Sequence, residues 1–311
     1  MKDLDNGNAP YRSGVAAVAG RPNVGKSTLI NALMGWKYSI VSSKPQTTRR
    51  CTRYILSREG GQVVLVDTPG LHRPLHLMGR AMENNLLTTL SQVDLVCLVT
   101  EATDRSLGPA DRILTERIAK GSSVPVFLVV NKIDLAEDPS GSSERLRKLY
   151  EGVLDIREEV LVSAEKGIGV EEFAGKLIAM LPPGPPLYPQ DEVGDFSERF
   201  LAEEIIREKV LEQTEEEVPH SVAVVVEEFK SPDEYPGRDT LFIRADIYVE
   251  RPGQKAILIG KGGGKLKTIG KAARMDLERQ FGHKVYLDLW VKVRPRWREN
   301  ETILKRMGLI Q

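Results

Sequence analysis

Eight residues concentrate the chemistry of this chain: Gly20-Arg21-Pro22-Asn23-Val24-Gly25-Lys26-Ser27. Two glycines let a backbone curl until successive amides point inward at an anion. A lysine and a hydroxyl at the end of such a curl can meet phosphate oxygens and a magnesium ion. The motif requires a strand before it and a helix after it. Residues 15–19 supply an apolar strand, and residues 26–33 read as a helix whose N-terminal partial charge adds to the attraction. A bare glycine turn followed by Lys-Ser would lack those flanks. Lys26 is therefore expected to reach the β- and γ-phosphates of a nucleoside triphosphate, and Ser27 to ligate Mg²⁺.

Two further groups fit the same ligand. Asp67-Thr68-Pro69-Gly70 follows an apolar strand at 63–66, where Asp67 would hold Mg²⁺ through water and the Gly70 amide would sense the γ-phosphate. On its own that tetrapeptide is an ordinary turn. Asn131-Lys132-Ile133-Asp134 ends the apolar run 124–130. A carboxylate at Asp134 can accept hydrogen bonds from N1–H and the 2-amino group of guanine, which adenine cannot offer. Ser163-Ala164, after the strand read at 160–163, is placed to present a backbone amide to guanine O6. The expected ligands are GTP and GDP.

The elements that position these residues alternate. Strands at 52–56 and 62–66 read as a hairpin, and the runs 93–100 and 124–130 are apolar throughout, as in strands buried on both faces. Helical patterns fall at 79–90, 109–120 and 170–181. This is an α/β arrangement, a mostly parallel sheet with helices on both faces. Residues 1–12 are polar and read as a flexible N-terminus, 13–183 as the nucleotide-binding domain, 184–195 as a stiff proline-rich linker, and 196–311 as a second domain with a C-terminal tail. The 311 residues are 41% hydrophobic and 28% charged, with Cys51 and Cys97 the two cysteines and no run long enough for a membrane span. A soluble cytoplasmic monomer without disulfides or a structural zinc site is expected.

In their order and spacing, Gly20–Ser27, Asp67–Gly70, Asn131–Asp134 and Ser163–Ala164 resemble the Ras-like GTPase fold. Pro45-Gln46-Thr47-Thr48-Arg49 resembles the first switch of the Era family of GTPases. The resemblance implies that Thr48, with Thr47 the alternative, reaches Mg²⁺ and the γ-phosphate only in the GTP state. Leu71 stands where Ras-type proteins carry a water-orienting glutamine, and it cannot polarise water. His72 has only a weak claim to that task. Some related GTPases that lack the glutamine use the loop asparagine with a potassium ion; Asn23 occupies that position, either in this role or simply shaping the loop. Slow intrinsic hydrolysis is expected, with Asn23, Lys26, Thr48 and Gly70 as its machinery.

The second half carries a strong charge asymmetry. Residues 191–250 hold 18 acidic and 6 basic residues, whereas 251–311 hold 5 acidic and 15 basic. A localised basic end on a neutral chain fits a polyanion. A helix at 196–212 with Ser197 as N-cap, strands at 221–229 and 241–250, helices at 254–259 and 265–281, and a strand at 284–293 give the order α-β-β-α-α-β. Gly260-Lys261-Gly262-Gly263 lies between the two central helices, and the whole resembles a type II KH domain, whose Gly-x-x-Gly loop clamps RNA. Lys261, Lys265, Lys267 and Lys271 would supply charge, and Ile257, Ile259, Leu266 and Ile269 an apolar floor under bases. Trp290 and Trp297 could each stack on a base, but Trp290 alternates within a strand, which favours core over stacking for it.

Segments 204–209, 218–222, 248–251 and 287–293 extend the resemblance to the Era family over the full length. It implies a GTPase that binds the 3′ end of 16S ribosomal RNA and the small (30S) ribosomal subunit during its assembly, with peripheral association at the inner face of the cell membrane. The rival readings are an RNA-binding scaffold in which GTP is a structural ligand, and a tRNA-modification GTPase. The latter would need a cofactor domain and a terminal cysteine, and neither is present.

Overall fold

The computed structural model describes residues 10–42, 44, 47–70, 76–121, 123–234 and 240–310. Contacts divide the chain into two units: residues 1–37, 50–72 and 84–195 form the first, and residues 38–49, 73–83 and 196–311 the second.

The first unit contains β1 (Arg12–Ala19), α1 (Lys26–Met34), β2 (Thr52–Arg58), β3 (Gly61–Asp67), the later part of α2 (Leu77–Leu90), β4 (Leu95–Glu101), α3 (Pro109–Gly121), β5 (Val126–Asn131), α4 (Pro139–Tyr150), β6 (Ile156–Leu161) and α5 (Val170–Met180). Its six strands lie in the order β2-β3-β1-β4-β5-β6, with β2 antiparallel to β3 and every other pair parallel. This is the Ras-like sheet. The continuous apolar runs are explained by burial: β3 and β5 are buried along their whole length, and Ala17, Val96, Leu98, Leu128 and Val130 join one core cluster.

The structure differs from the sequence reading in several elements. Helix α4 has no apolar residue in its first turns, which Pro139, Gly141 and three serines fill, although Leu146, Leu149 and Tyr150 keep helical spacing after them. It forms through capping: Asp138 Oδ1 accepts from the Gly141 amide at 3.0 Å and Pro139 occupies the first turn, while Leu146 and Tyr150 anchor the helix. Strand β6 begins earlier than expected and ends at Leu161, leaving Ser163 in the loop beyond it. The stretch 184–195, read as a stiff linker, is also packed on the first unit's sheet. The buried Gln62 side chain accepts from the Leu187 and Tyr188 amides at 2.8 and 2.9 Å and donates to the Tyr188 carbonyl at 2.9 Å. The Ile55 amide donates to the Val193 carbonyl at 3.0 Å, so this strap covers the open edge of β2. Of the residues read as a flexible N-terminus, Tyr11 accepts from the Gly184 amide and Arg12 opens β1; residues 1–9 lie outside the described set.

The second unit contains α6 (Glu198–Glu212), α7 (Val218–Ser221), β7 (Ala223–Lys230), β8 (Thr240–Val249), α8 (Pro252–Ile259), α9 (Gly264–Phe281), β9 (Lys284–Val293) and α10 (Glu301–Arg306). Ser197 caps α6 by accepting from the Phe200 amide at 3.2 Å. The sheet order is β7-β8-β9, antiparallel then parallel, the α+β arrangement of a type II KH domain. Alternate residues of β8 (Leu241, Ile243, Ala245, Ile247, Val249) pack with Ile206 and Val210 of α6, Leu258 of α8 and Ala273 of α9. Tyr248, on the opposite face, packs with Ala223, Val225, Trp297, Leu304 and, from the first half of α2, Met78 and Met82.

Candidate nucleotide and RNA sites

In the first unit the carboxyl ends of β1, β3, β4, β5 and β6 deliver the phosphate loop, Asp67, Glu101, Asn131 and the Ser163 loop to one rim of the sheet. Gly25 stands at φ 97°, and a Cβ there would meet the Asn131 side-chain nitrogen at 2.3 Å, so only glycine fits. Asn23 is also left-handed, at φ 67°, a conformation asparagine tolerates better than most residues. Lys26 is buried, its Nζ donating to the carbonyls of Gly20 at 2.9 Å and Arg21 at 3.1 Å. Burial pulls its pKa down from 10.5 to about 8 against the pull of Asp67. A buried cation at the N-terminus of a helix suits an anionic ligand.

The Ser27 hydroxyl donates to Asp67 Oδ2 at 3.4 Å. Two hard oxygens side by side suit Mg²⁺, which keeps water and substrate phosphates for its other positions, so these residues fit the ion. Thr68 Oγ1 donates to the Val18 carbonyl at 2.8 Å, pinning the Asp67–Gly70 turn to β1, and a Cβ on Gly70 would press on Pro22 at 3.0 Å. Leu71 and His72 lie outside the described residues.

Asn131 joins three of the motifs. Its Nδ2 donates to the Val24 carbonyl at 2.8 Å and its Oδ1 accepts from the Ala164 amide at 3.0 Å, so one amide ties the phosphate loop to Ser163-Ala164. Lys132, at φ 62°, donates from Nζ to the Asn23 carbonyl at 2.8 Å. The Ile133 amide donates to the Val162 carbonyl at 3.2 Å, and Asp134 is exposed beside it, open to a base. Sequence reasoning missed Glu101. It receives Lys132 Nζ and, at 2.6 Å, Arg21 Nη2, which also donates to Asp104 at 2.7 Å. Burial works against the charge on Glu101, but the bonds from Lys132 and Arg21 hold its pKa below the ordinary value. Its place at the carboxyl end of a parallel strand was the available signal.

Thr47 and Thr48 belong to the second unit. There the Thr47 carbonyl accepts from Arg207 of α6, Thr47 Oγ1 donates to the Lys44 carbonyl at 2.8 Å, and the Val41 amide donates to Glu208 at 2.8 Å. Arg49 is buried, donating to the Val222 carbonyl at 2.6 Å with its guanidinium 5.8 Å from the Trp297 ring centroid. None of these partners was foreseen. Thr48 is half-buried between the two anchored residues, while Pro45 and Gln46 lie outside the described set.

The Gly260–Gly263 loop links α8 to α9. The Gly260 amide donates to the Ala256 carbonyl at 2.9 Å, and a Cβ there would lie 2.8 Å from that of Lys265. Lys261, Lys267 and Lys271 are exposed and Lys265 is half-buried. Between α9 and β9 runs a groove of about 580 Å³ lined by Gly263, Leu266, Lys267, Lys271, Arg274 and Tyr286 among others. Of the expected apolar floor, Leu266 reaches this groove. Ile269 is core, Ile259 is half-buried against the core, and Ile257 is exposed beside Glu212, Glu216 and Arg251. Of the two tryptophans, it is Trp297 that is core, and the stacking alternative stays open for Trp290 alone. Trp297 is fully buried, its Nε1 donating to the Ser221 carbonyl at 2.7 Å, whereas Trp290 is 58% exposed.

Comparison with known proteins agrees with this geometry. Residues 15–132 match the family model described as 50S ribosome-binding GTPase, and residues 217–298 match the KH domain model. The chain is 43% identical to GTPase Era of Carboxydothermus hydrogenoformans over 301 residues, 97% of this chain and 99% of that protein. A variant of Aquifex aeolicus Era bound to GDP and AlF4⁻ superposes with a TM-score of 0.89 at 37% identity, covering 96% of this chain and all of that one. Era in complex with MgGDPNP and nucleotides 1506–1542 of 16S ribosomal RNA superposes with a TM-score of 0.90, also at 37% identity, covering 97% and 100%. A nucleotide-loop rim in one unit and a Gly-x-x-Gly groove in the other, matched along the whole length, make this chain a member of the GTPase Era family.

Proposed function

We propose that this GTPase binds the 3′ end of 16S ribosomal RNA and the small ribosomal subunit during its assembly, and that its nucleotide state controls the RNA. The observation that carries the reading is the full-length likeness to Era solved with MgGDPNP and 16S RNA, in a chain that has both a phosphate loop and a Gly-x-x-Gly loop. In this reading residues 13–183 bind nucleotide: Lys26 and the loop amides grip phosphates, Ser27 and Asp67 hold Mg²⁺, and Asp134 with the Ala164 amide reads guanine. The ion would neutralise charge on the phosphates. Residues 196–311 bind RNA through Gly260–Gly263, Lys265, Lys267 and Lys271. Glu208, Arg207 and Val222 hold Val41, Thr47 and Arg49, which offers a route by which a change at Thr48 would be felt in the RNA-binding half.

Finer points belong to the same reading. Asn23 positions a potassium ion, the protein acts as a monomer, and any association with the inner face of the cell membrane is peripheral. No helix among the described residues is long and apolar enough to cross a membrane. Single-turnover GTP hydrolysis with and without RNA ending like the small-subunit 3′ terminus tests the core claim. RNA should change the rate, and Lys261→Asp with Gly262→Asp should abolish that response while leaving basal hydrolysis intact. An unchanged rate would favour a scaffold in which hydrolysis is incidental. Equal rates in sodium and potassium would remove the role given to Asn23.

A further inference from the structure

The sheet of the second unit has one face under α6, α8 and α9 and another whose two ends differ. At one end, Tyr248 and Val225 are covered by Trp297 and Leu304. At the other, Phe242 and Arg244 of β8 and Tyr286, Asp288 and Trp290 of β9 project from the side opposite the helices, which is open among the described residues, since alternate residues share a face. Tyr286 is 61% and Trp290 58% exposed. Aromatic side chains this open are costly in water and mark a surface that is covered in use. They are also held still. Phe242 and Tyr286 stack with centroids 5.6 Å apart and planes 10° from parallel, and Trp290 Nε1 donates to Asp288 Oδ2 at 2.9 Å.

Continuity says what covers them. Tyr286 also rims the groove lined by Lys267, Lys271 and Arg274, so a strand leaving that groove meets the aromatic face next. The face itself is not a phosphate track: Arg244 is paired with Glu228 and Lys292 with Asp246, each at 2.6 Å. What it offers is π-surface, the feature common to every base. We propose that Tyr286, stacked on Phe242, and Trp290 form a second RNA contact, a platform on which unpaired bases stack after leaving the groove between α9 and β9. This rests on the RNA-binding reading above and extends it beyond the roughly four nucleotides that a Gly-x-x-Gly loop clamps.

The test uses the full chain and two single-stranded RNAs sharing the small-subunit 3′ sequence, one of about four nucleotides and one of about twelve. Tyr286→Ala and Trp290→Ala should each weaken the longer RNA roughly tenfold. They should leave the shorter one, the slope of affinity against salt, and thermal melting unchanged. Trp290→Phe should restore most of the affinity. The longer RNA should also quench tryptophan emission in the unmodified chain and much less in Trp290→Phe. Full affinity for the longer RNA in both alanine variants, with no quenching, overturns the platform even where Lys261→Asp abolishes binding; loss of small-subunit binding alone would then mark a protein-docking face. If the unmodified chain binds neither RNA, the platform falls together with the reading it rests on.

Discussion

Lys26 and Lys261 each follow a glycine where a loop meets a helix: Lys26 opens α1 in one unit, and Lys261 stands in the loop just ahead of α9 in the other. Lys26 is buried against two carbonyls with its pKa pulled to about 8, and its neighbours Gly25 and Asn23 are locked in left-handed conformations. Lys261 is exposed, and although Gly262 and Gly263 are also left-handed, at φ 59° and 78°, Cβ atoms added there would meet open space. One loop spends folding energy to hold a single cation in a fixed, dry place. The other leaves several cations in water along a groove. A buried cation discriminates by geometry and pays heavily for its removal, whereas an exposed array sums weak, salt-screened attractions.

The largest effect should follow from breaking the first design. Lys26→Ala removes a charge-assisted contact from a water-poor site and should weaken GTP at least about a hundredfold. Binding of a fluorescent GTP analogue measures this. RNA affinity of the nucleotide-free chain should stay unchanged, so loss of both would deny that the two loops are independent. Asp134→Asn comes next. The exposed carboxylate should lose its acceptor role toward N1–H and the 2-amino group, lowering GTP affinity by about a hundredfold and collapsing the preference for GTP over ITP. An unchanged GTP:ITP ratio would refute the contact.

Legibility in the sequence follows the same contrast. The nucleotide rim could be read because strict backbone geometry leaves strict spacing: glycine at 25, lysine at 26, an acid after a buried strand at 67. Glu101 escaped because its partners Arg21 and Lys132 are far away in sequence and no spacing rule connects them. Helix α4 escaped because its first turns, capped by Asp138, hold only proline, glycine and serines, and its apolar residues start at Leu146. Trp290 was read as core because it alternates with Leu289 and Val291, yet alternation alone does not say which face is buried. The helices cover the Val291 face and leave Trp290 open. Arg49 and Arg207 stood in segments that carry the resemblance, but the Val222 and Thr47 carbonyls that hold them lie far away in sequence.

The exposed array should respond in smaller steps. Lys267→Ala and Lys271→Ala together should weaken RNA several-fold at physiological salt and reduce the slope of log affinity against log salt by up to about 2. Titrations at several salt concentrations measure it. A full-sized slope in the double variant would place the phosphates elsewhere. Nucleotide affinity should not move.

The smallest effect is a pH dependence, and its two signs differ. In the nucleotide-free fold Lys26 titrates near 8, against 10.5 when unfolded. The cost of burying its charge is fully present below pH 8 and is relieved as pH rises towards 10.5, so this residue makes the empty fold more stable with increasing pH. Binding runs the other way. Phosphates hold the lysine protonated, so above pH 8 the proton must be taken up on binding. For one such proton, affinity for GDP should be nearly flat below pH 7.5 and fall about fourfold between pH 7 and 8.5. Calorimetry in buffers of different ionisation enthalpy should show uptake of up to about one proton at pH 8.5 and close to none at pH 6.5. Lys26→Arg, whose charge persists throughout, should abolish the uptake even if it binds weakly. An equal proton uptake in Lys26→Arg would assign the titration to another group and remove the buried cation from the comparison with the exposed array.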